Sequence, residues 1–95
     1  MSDVERLIAR VTGRVQGVGF RYWTVQQANG LGLVGWVMNA DDERTVEVVA
    51  EGSPIGLDAL ERLLRSGPPG ARVERVDAAR ERARGGMSRF GIMRG

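Results

Sequence analysis

At 95 residues, with 42% hydrophobic and 27% charged side chains, the sequence has the size and balance of one globular domain, 1–95, around a single core. It contains no cysteine and no histidine, and all 14 of its basic residues are arginine, which excludes disulfides, thiolate or imidazole metal sites, histidine bases, Schiff-base lysines and the P-loop lysine. A net charge of only +2 argues against a nucleic-acid partner. No apolar run approaches the eighteen or so residues of a membrane span, and Met1-Ser2-Asp3-Val4-Glu5-Arg6 lacks the basic-then-apolar order of a leader, so a cytoplasmic protein without membrane contact is expected.

Taken in chain order, Glu5 to Gly13 alternates Leu7, Ala9 and Val11 with Arg6, Arg10 and Thr12, the pattern of a strand with one buried face. The next stretch, Gly13-Arg14-Val15-Gln16-Gly17-Val18-Gly19-Phe20-Arg21, carries three glycines in seven residues and opens into a helical pattern. A backbone this free to turn exposes its N–H groups, and those at the helix start are unpaired donors suited to an anion. Arg21 falls in the first helical turn, where a cation opposes the helix dipole unless an anion accompanies it. Tyr22, Val25, Ala28 and Leu31 give the helical stripe, which Asn29-Gly30 and Gly32 close.

Leu33 to Asn39 is apolar and β-branched enough for a second strand, with Trp36 as a large core or edge side chain. Asp41-Asp42-Glu43-Arg44 is a polar hairpin turn into a third strand, where Val46, Val48 and Ala50 alternate with Thr45, Glu47 and Glu51. Ser53-Pro54 supplies an N-cap and a first-position proline for a helix through Leu57, Leu60, Leu63 and Leu64, stopped by Ser66-Gly67-Pro68-Pro69-Gly70. Arg72 to Arg80 reads as a weaker strand, Arg82-Ala83-Arg84-Gly85-Gly86 as a mobile or turning stretch, and Phe90 with Ile92 as a short last strand. From Arg72 onward seven arginines face three acids, most simply a solvated face.

The order strand, helix, strand, strand, helix, strand, with a short strand after it, predicts an α+β ferredoxin-like sandwich, βαββαβ plus a C-terminal strand, with two helices on one face of a mainly antiparallel sheet. The first two strands are joined by a helix and therefore run parallel, so their carboxyl ends emerge at one edge. The glycine loop, Arg21 and Asn39 meet there in the prediction. Backbone N–H groups and a guanidinium bind phosphate oxygens, and a carboxamide donates one hydrogen bond and accepts another, as holding a water requires. On spacing alone the loop is more simply a tight connection, a surface position is the commoner fate of an arginine such as Arg21, and Asn39 by itself reads as a turn former.

The loop, together with Gly35-Trp36-Val37-Met38-Asn39 and Val46-Glu47-Val48-Val49-Ala50-Glu51-Gly52, closely resembles the acylphosphatase family over nearly the whole chain. That resemblance implies hydrolysis of the carboxyl–phosphate bond of a small-molecule acyl phosphate, without metal or cofactor. It implies phosphate binding by Gln16, Gly17, Val18, Gly19, Phe20 and Arg21, with Arg21 and Asn39 catalytic and Asn39 orienting the attacking water. Met38 stands where the family commonly has a basic residue, the 41–44 hairpin lacks the usual glycine, and the aromatic residue often found near the C-terminus is missing. A monomer is expected. The competing reading is a ferredoxin-like module that holds phosphate without turnover or binds RNA on its open sheet face. The outward faces of the first and third strands offer arginine, threonine and glutamate for that purpose, with no aromatic platform for stacking bases.

Overall fold

The structure is a computed structural model that describes residues 4–94. Residues 1–3, the start of the stretch read against a leader, and residue 95 lie outside the described residues. The elements are β1 (Glu5–Arg14), α1 (Phe20–Gly30), β2 (Val34–Asn39), β3 (Thr45–Gly52), α2 (Pro54–Ser66), β4 (Arg72–Arg82) and β5 (Phe90–Ile92). They form a five-stranded sheet in the order β4-β1-β3-β2-β5, antiparallel except for the β2–β5 pair. This is the ferredoxin-like sandwich that the element order predicts.

Period-two alternation sends Leu7, Ala9 and Val11 of β1, Val37 of β2 and Val46, Val48 and Ala50 of β3 into one core, all 1% exposed or less. Helix α2 covers that face with Leu57, Leu60 and Leu64. Its start is built as its sequence predicts: the Ser53 side chain accepts from the Gly56 N–H at 3.1 Å, and Pro54 opens the helix. Arg80 of β4 ties the helix to the sheet edge, with Nη2 2.7 Å from Asp58 Oδ1 and Nη1 3.2 Å from Glu5 Oε1.

The fully buried residues of α1 are Phe20, Thr24 and Ala28; of the expected stripe Tyr22, Val25, Ala28 and Leu31, Val25 and Leu31 pack partly against the core and Tyr22 turns outward. Steps of three residues drift about 60° round a helix at each repeat, and Tyr22 ends 65% exposed. Thr24 is a polar member of the true stripe. Its hydroxyl donates to the Phe20 carbonyl at 2.8 Å, which makes its burial tolerable.

At Gly13 the β1–β4 register shifts, and the chains come so close that a Cβ would lie 2.2 Å from the Arg72 carbonyl oxygen. Strand β4 runs to Arg82, two residues further than its apolar pattern indicates, because its pairing with β1 continues to Glu5↔Arg82.

The open sheet face is also more ordered than alternation suggests. Glu47 accepts from Arg10, and Glu51, only 5% exposed, accepts from Arg6 Nη1 at 2.7 Å. Glu51 further accepts from the backbone N–H groups of Arg84 at 2.8 Å and Gly85 at 3.0 Å. The stretch read as mobile is thereby fastened to β3. Burial pushes the Glu51 carboxyl up, but the Arg84 N–H, the Arg6 guanidinium and the Gly85 N–H together outweigh burial and hold it below the usual carboxylate range.

Candidate active site

Strands β1 and β2 each pair antiparallel with β3, which lies between them, so they point the same way and their carboxyl ends share an edge. Strand β5 pairs parallel with β2 and ends there too. At this edge a cleft of about 350 Å³ is lined by Arg21, Asn39, Ala40, Asp41, Met93 and Arg94. The two residues that the topology argument joins, Arg21 and Asn39, thus share a wall although they come from different elements. A larger depression of about 570 Å³, bounded by Val4, Glu5 and Arg80 to Ala83, contains the Glu5–Arg80 ion pair.

The loop entering α1 has the backbone its glycines permit. Gly17 and Gly19 adopt φ of 77° and 78°, and Gly19 is the helix N-cap in the left-handed region, with no side chain capping the first turn. Among the described residues, the N–H groups of Gln16 to Tyr22 donate to no protein acceptor. Trp23 is the first to do so, to the Gly19 carbonyl at 3.0 Å. No acid occupies the first turn of α1. A run of open donors therefore leads into Arg21 along the chain, and the Arg21 guanidinium forms no ion pair among the described residues. Residues Gln16 to Phe20 are not themselves in the cleft wall: Phe20 is 1% exposed in the core, and Val18 packs partly against it.

Asn39 closes β2 on the helix-covered face, two residues beyond the buried Val37. Its Oδ1 is enclosed and has no hydrogen-bond partner among the described residues. Such an oxygen is an acceptor still to be satisfied. Met38, one residue earlier, points to the other face and pairs in register with Glu47, away from the cleft.

The hairpin after Asn39 is held from within. Ala40 N–H donates to the Thr45 carbonyl at 2.9 Å, the Thr45 hydroxyl to Asp42 Oδ2 at 2.6 Å, and the Arg44 N–H to Asp42 Oδ1 at 3.0 Å. The Thr45 hydroxyl and the Arg44 N–H hold the Asp42 carboxyl below the usual carboxylate range. Glu43 takes φ 62°, in the left-handed region that favours glycine. The hairpin is also held to the loop, since Gln16 Nε2 donates to the carbonyls of Ala40 at 3.0 Å and Thr45 at 2.9 Å.

Met93 and Arg94 reach the cleft because the Met93 N–H donates to the Val37 carbonyl at 2.9 Å and continues the β5 direction. The alternation of Phe90 and Ile92 identifies a strand but not its parallel neighbour, so the sequence does not announce these two wall residues. The long-range contacts of the Gln16 side chain are likewise invisible before folding.

Fold and cleft define an α+β sandwich with an arginine, a carboxamide and a row of open backbone donors at the carboxyl ends of two parallel strands. The acylphosphatase family model matches residues 7–92. An acylphosphatase of Acaryochloris marina is 45% identical over 94 residues, covering 99% of either chain, and one of Paenarthrobacter aurescens is 48% identical over 88 residues, covering 93% of each. The crystal structure of acylphosphatase from Bacillus subtilis superimposes with a TM-score of 0.89 at 37% identity, over 94% of this chain and 98% of that one. The chain belongs to the acylphosphatase family.

Proposed function

We propose that this protein hydrolyses the carboxyl–phosphate bond of small-molecule acyl phosphates, giving a carboxylate and inorganic phosphate. The observation that carries the reading is the meeting of Arg21 and Asn39 in one cleft, with the loop of unpaired N–H groups leading directly into Arg21 along the chain, in a member of this family. The phosphoryl oxygens receive hydrogen bonds from the N–H groups of Gln16, Gly17, Val18, Gly19 and Phe20 and a bidentate pair from the Arg21 guanidinium. Arg21 thereby gains the anion that its place in the first helical turn lacks.

Asn39 orients the attacking water by hydrogen bonding from its carboxamide, so that a lone pair of the water is directed at phosphorus. The water oxygen bonds to phosphorus as the bond to the acyl oxygen breaks, both electrons leave with the carboxylate, and the phosphate takes the water's proton. A carboxylate is a good enough leaving group that positioning and charge stabilisation supply what the protein must add. No histidine is needed.

The reading extends to a monomeric, one-domain cytoplasmic enzyme that needs neither metal nor cofactor and has no nucleic-acid partner. The ion pairs of Arg6 with Glu51 and Arg10 with Glu47 across the open sheet face support the last point, because they occupy the arginines an RNA would use. Purified protein is expected to hydrolyse an aryl acyl phosphate at full rate in EDTA and to leave phosphomonoesters nearly untouched. A metal requirement, or equal rates on both substrates, refutes the mechanism. Phosphate binding without hydrolysis of any acyl phosphate, measured alongside Arg21→Ala, points instead to a binding module.

A further inference from the structure

We infer that the Gln16 side chain is a positioning residue that sets Asn39 against the phosphate loop, an inference that rests on the hydrolytic reading above. Gln16 lies in the loop five residues before Arg21, yet its amide leaves the loop and reaches the hairpin that follows Asn39. Both of its N–H groups are used: one meets the Ala40 carbonyl at 3.0 Å, the other the Thr45 carbonyl at 2.9 Å. With two carbonyl oxygens facing it, only the nitrogen end of the amide fits, so the orientation is determined by chemistry.

The Thr45 carbonyl that receives Gln16 also receives the Ala40 N–H, at 2.9 Å. That N–H belongs to the peptide plane that begins with the Asn39 carbonyl carbon. Gln16 therefore grips the chain on both sides of the bend through which Asn39 leaves β2, and fixes the direction of the Asn39 side chain relative to a loop far earlier in the chain. No other described side chain hydrogen-bonds the loop to this hairpin, and the backbone adds one bond at the loop's start, from the Gly13 N–H to the Arg44 carbonyl at 2.9 Å. The backbone N–H of Gln16 faces the anion while its side chain holds the water-bearing residue at a set distance from it. One residue thus couples the two halves of the site.

A misplacement of the water by a fraction of an ångström lowers turnover more than it weakens phosphate binding, which rests on backbone donors and Arg21. The test is a double-mutant cycle with Gln16→Ala and Asn39→Ala, read by kcat, KM and competitive inhibition by inorganic phosphate. Gln16→Ala is expected to lower kcat by about 10- to 100-fold while KM and the phosphate inhibition constant change by less than about threefold. Added to Asn39→Ala it is expected to cost less than about twofold more, because the residue it positions is already gone.

Losses that multiply in full overturn the inference and leave the hydrolytic reading intact. So does a Gln16→Ala effect confined to KM. Full kcat in Asn39→Ala alone overturns the assigned role of Asn39 first, and the positioning role with it. Should Gln16→Ala prove unfolded, Gln16→Met keeps the chain length and volume without the donors and enters the same cycle with the same expected outcomes.

Discussion

Glu51→Gln isolates the buried carboxylate on the open sheet face. In the native protein Oε2 accepts from Arg6 Nη1 at 2.7 Å and from the Arg84 N–H at 2.8 Å, and Oε1 accepts from the Gly85 N–H at 3.0 Å. A carboxamide has one oxygen. Turned to keep the first two bonds, it sets an NH₂ against the Gly85 N–H, donor facing donor. Hydrogen bonds to charged groups contribute about 1.5–3 kcal/mol and neutral ones about 1. Two weakened bonds and one lost therefore cost about 3 kcal/mol, a large part of the roughly 5–14 kcal/mol expected for a domain of this length.

At about 4–8 °C per kcal/mol for a domain of this size, Tm at pH 7 should fall by roughly 12–24 °C, measured by circular dichroism or calorimetry. The pH dependence has a definite sign. The folded-state pKa of Glu51 lies below its unfolded value, so the unfolded chain takes up the proton first as the solution is acidified. The stabilisation is complete above the ordinary glutamate pKa of about 4.3 and is lost as pH falls through the lower folded value. The gap between wild type and variant should accordingly narrow below about pH 4. Glu51 sits at the end of β3 away from the Thr45 hairpin, so kcat at a temperature where both proteins are folded should be unchanged. A fall in Tm below about 3 °C, or a gap that stays constant down to pH 3, refutes this account of how the 84–85 segment is held.

Substitutions at three further positions test other parts of the molecule. Arg21→Lys replaces a two-pronged guanidinium by a point charge, and kcat/KM in a steady-state assay should drop by about 100-fold or more; a loss under about threefold removes Arg21 from its assigned place. Gly13→Ala drives a Cβ to 2.2 Å from the Arg72 carbonyl oxygen and 2.9 Å from the Glu74 nitrogen at φ 144°, and should destabilise the protein by about 2 kcal/mol or more in denaturant titrations. Glu43→Gly relieves a left-handed residue that costs about 1–2 kcal/mol, against about 0.4–1 kcal/mol of added unfolded-state entropy, so Tm should hold or rise slightly, whereas Glu43→Val should lower it.

Much of this molecule can be read before it is folded. The crossover helix alone brings the ends of β1 and β2 to one edge, which is why Arg21 and Asn39 could be paired without knowing a single distance. Helix α2 is equally plain because its cap, its proline, its leucine spacing and its terminator are local and agree with one another. What escapes the sequence depends on partners far along the chain. Glu51 looks like an exposed position of an alternating strand until Arg84 and Gly85, 33 and 34 residues later, close over it. Thr24 breaks the apolar pattern of α1, and its burial follows from a hydrogen bond to its own helix that hydrophobic periodicity does not register. Met93 and Arg94 enter the cleft only through the parallel pairing of three residues with β2. The Gln16 amide is the extreme case, since loop spacing identifies its backbone and says nothing of where the side chain goes.

The open donors from Gln16 to Phe20 belong to the peptide chain itself, and every amino acid except proline brings the same N–H. Substitution of side chains along the loop cannot erase those donors one at a time, as it could erase a cluster of lysines. Proline apart, they are lost only when the curvature set by Gly17 and Gly19 is lost. Evolutionary drift at such a site is therefore limited by shape: variation that leaves the turn intact leaves its donors in place, and variation that straightens it removes the whole set at once.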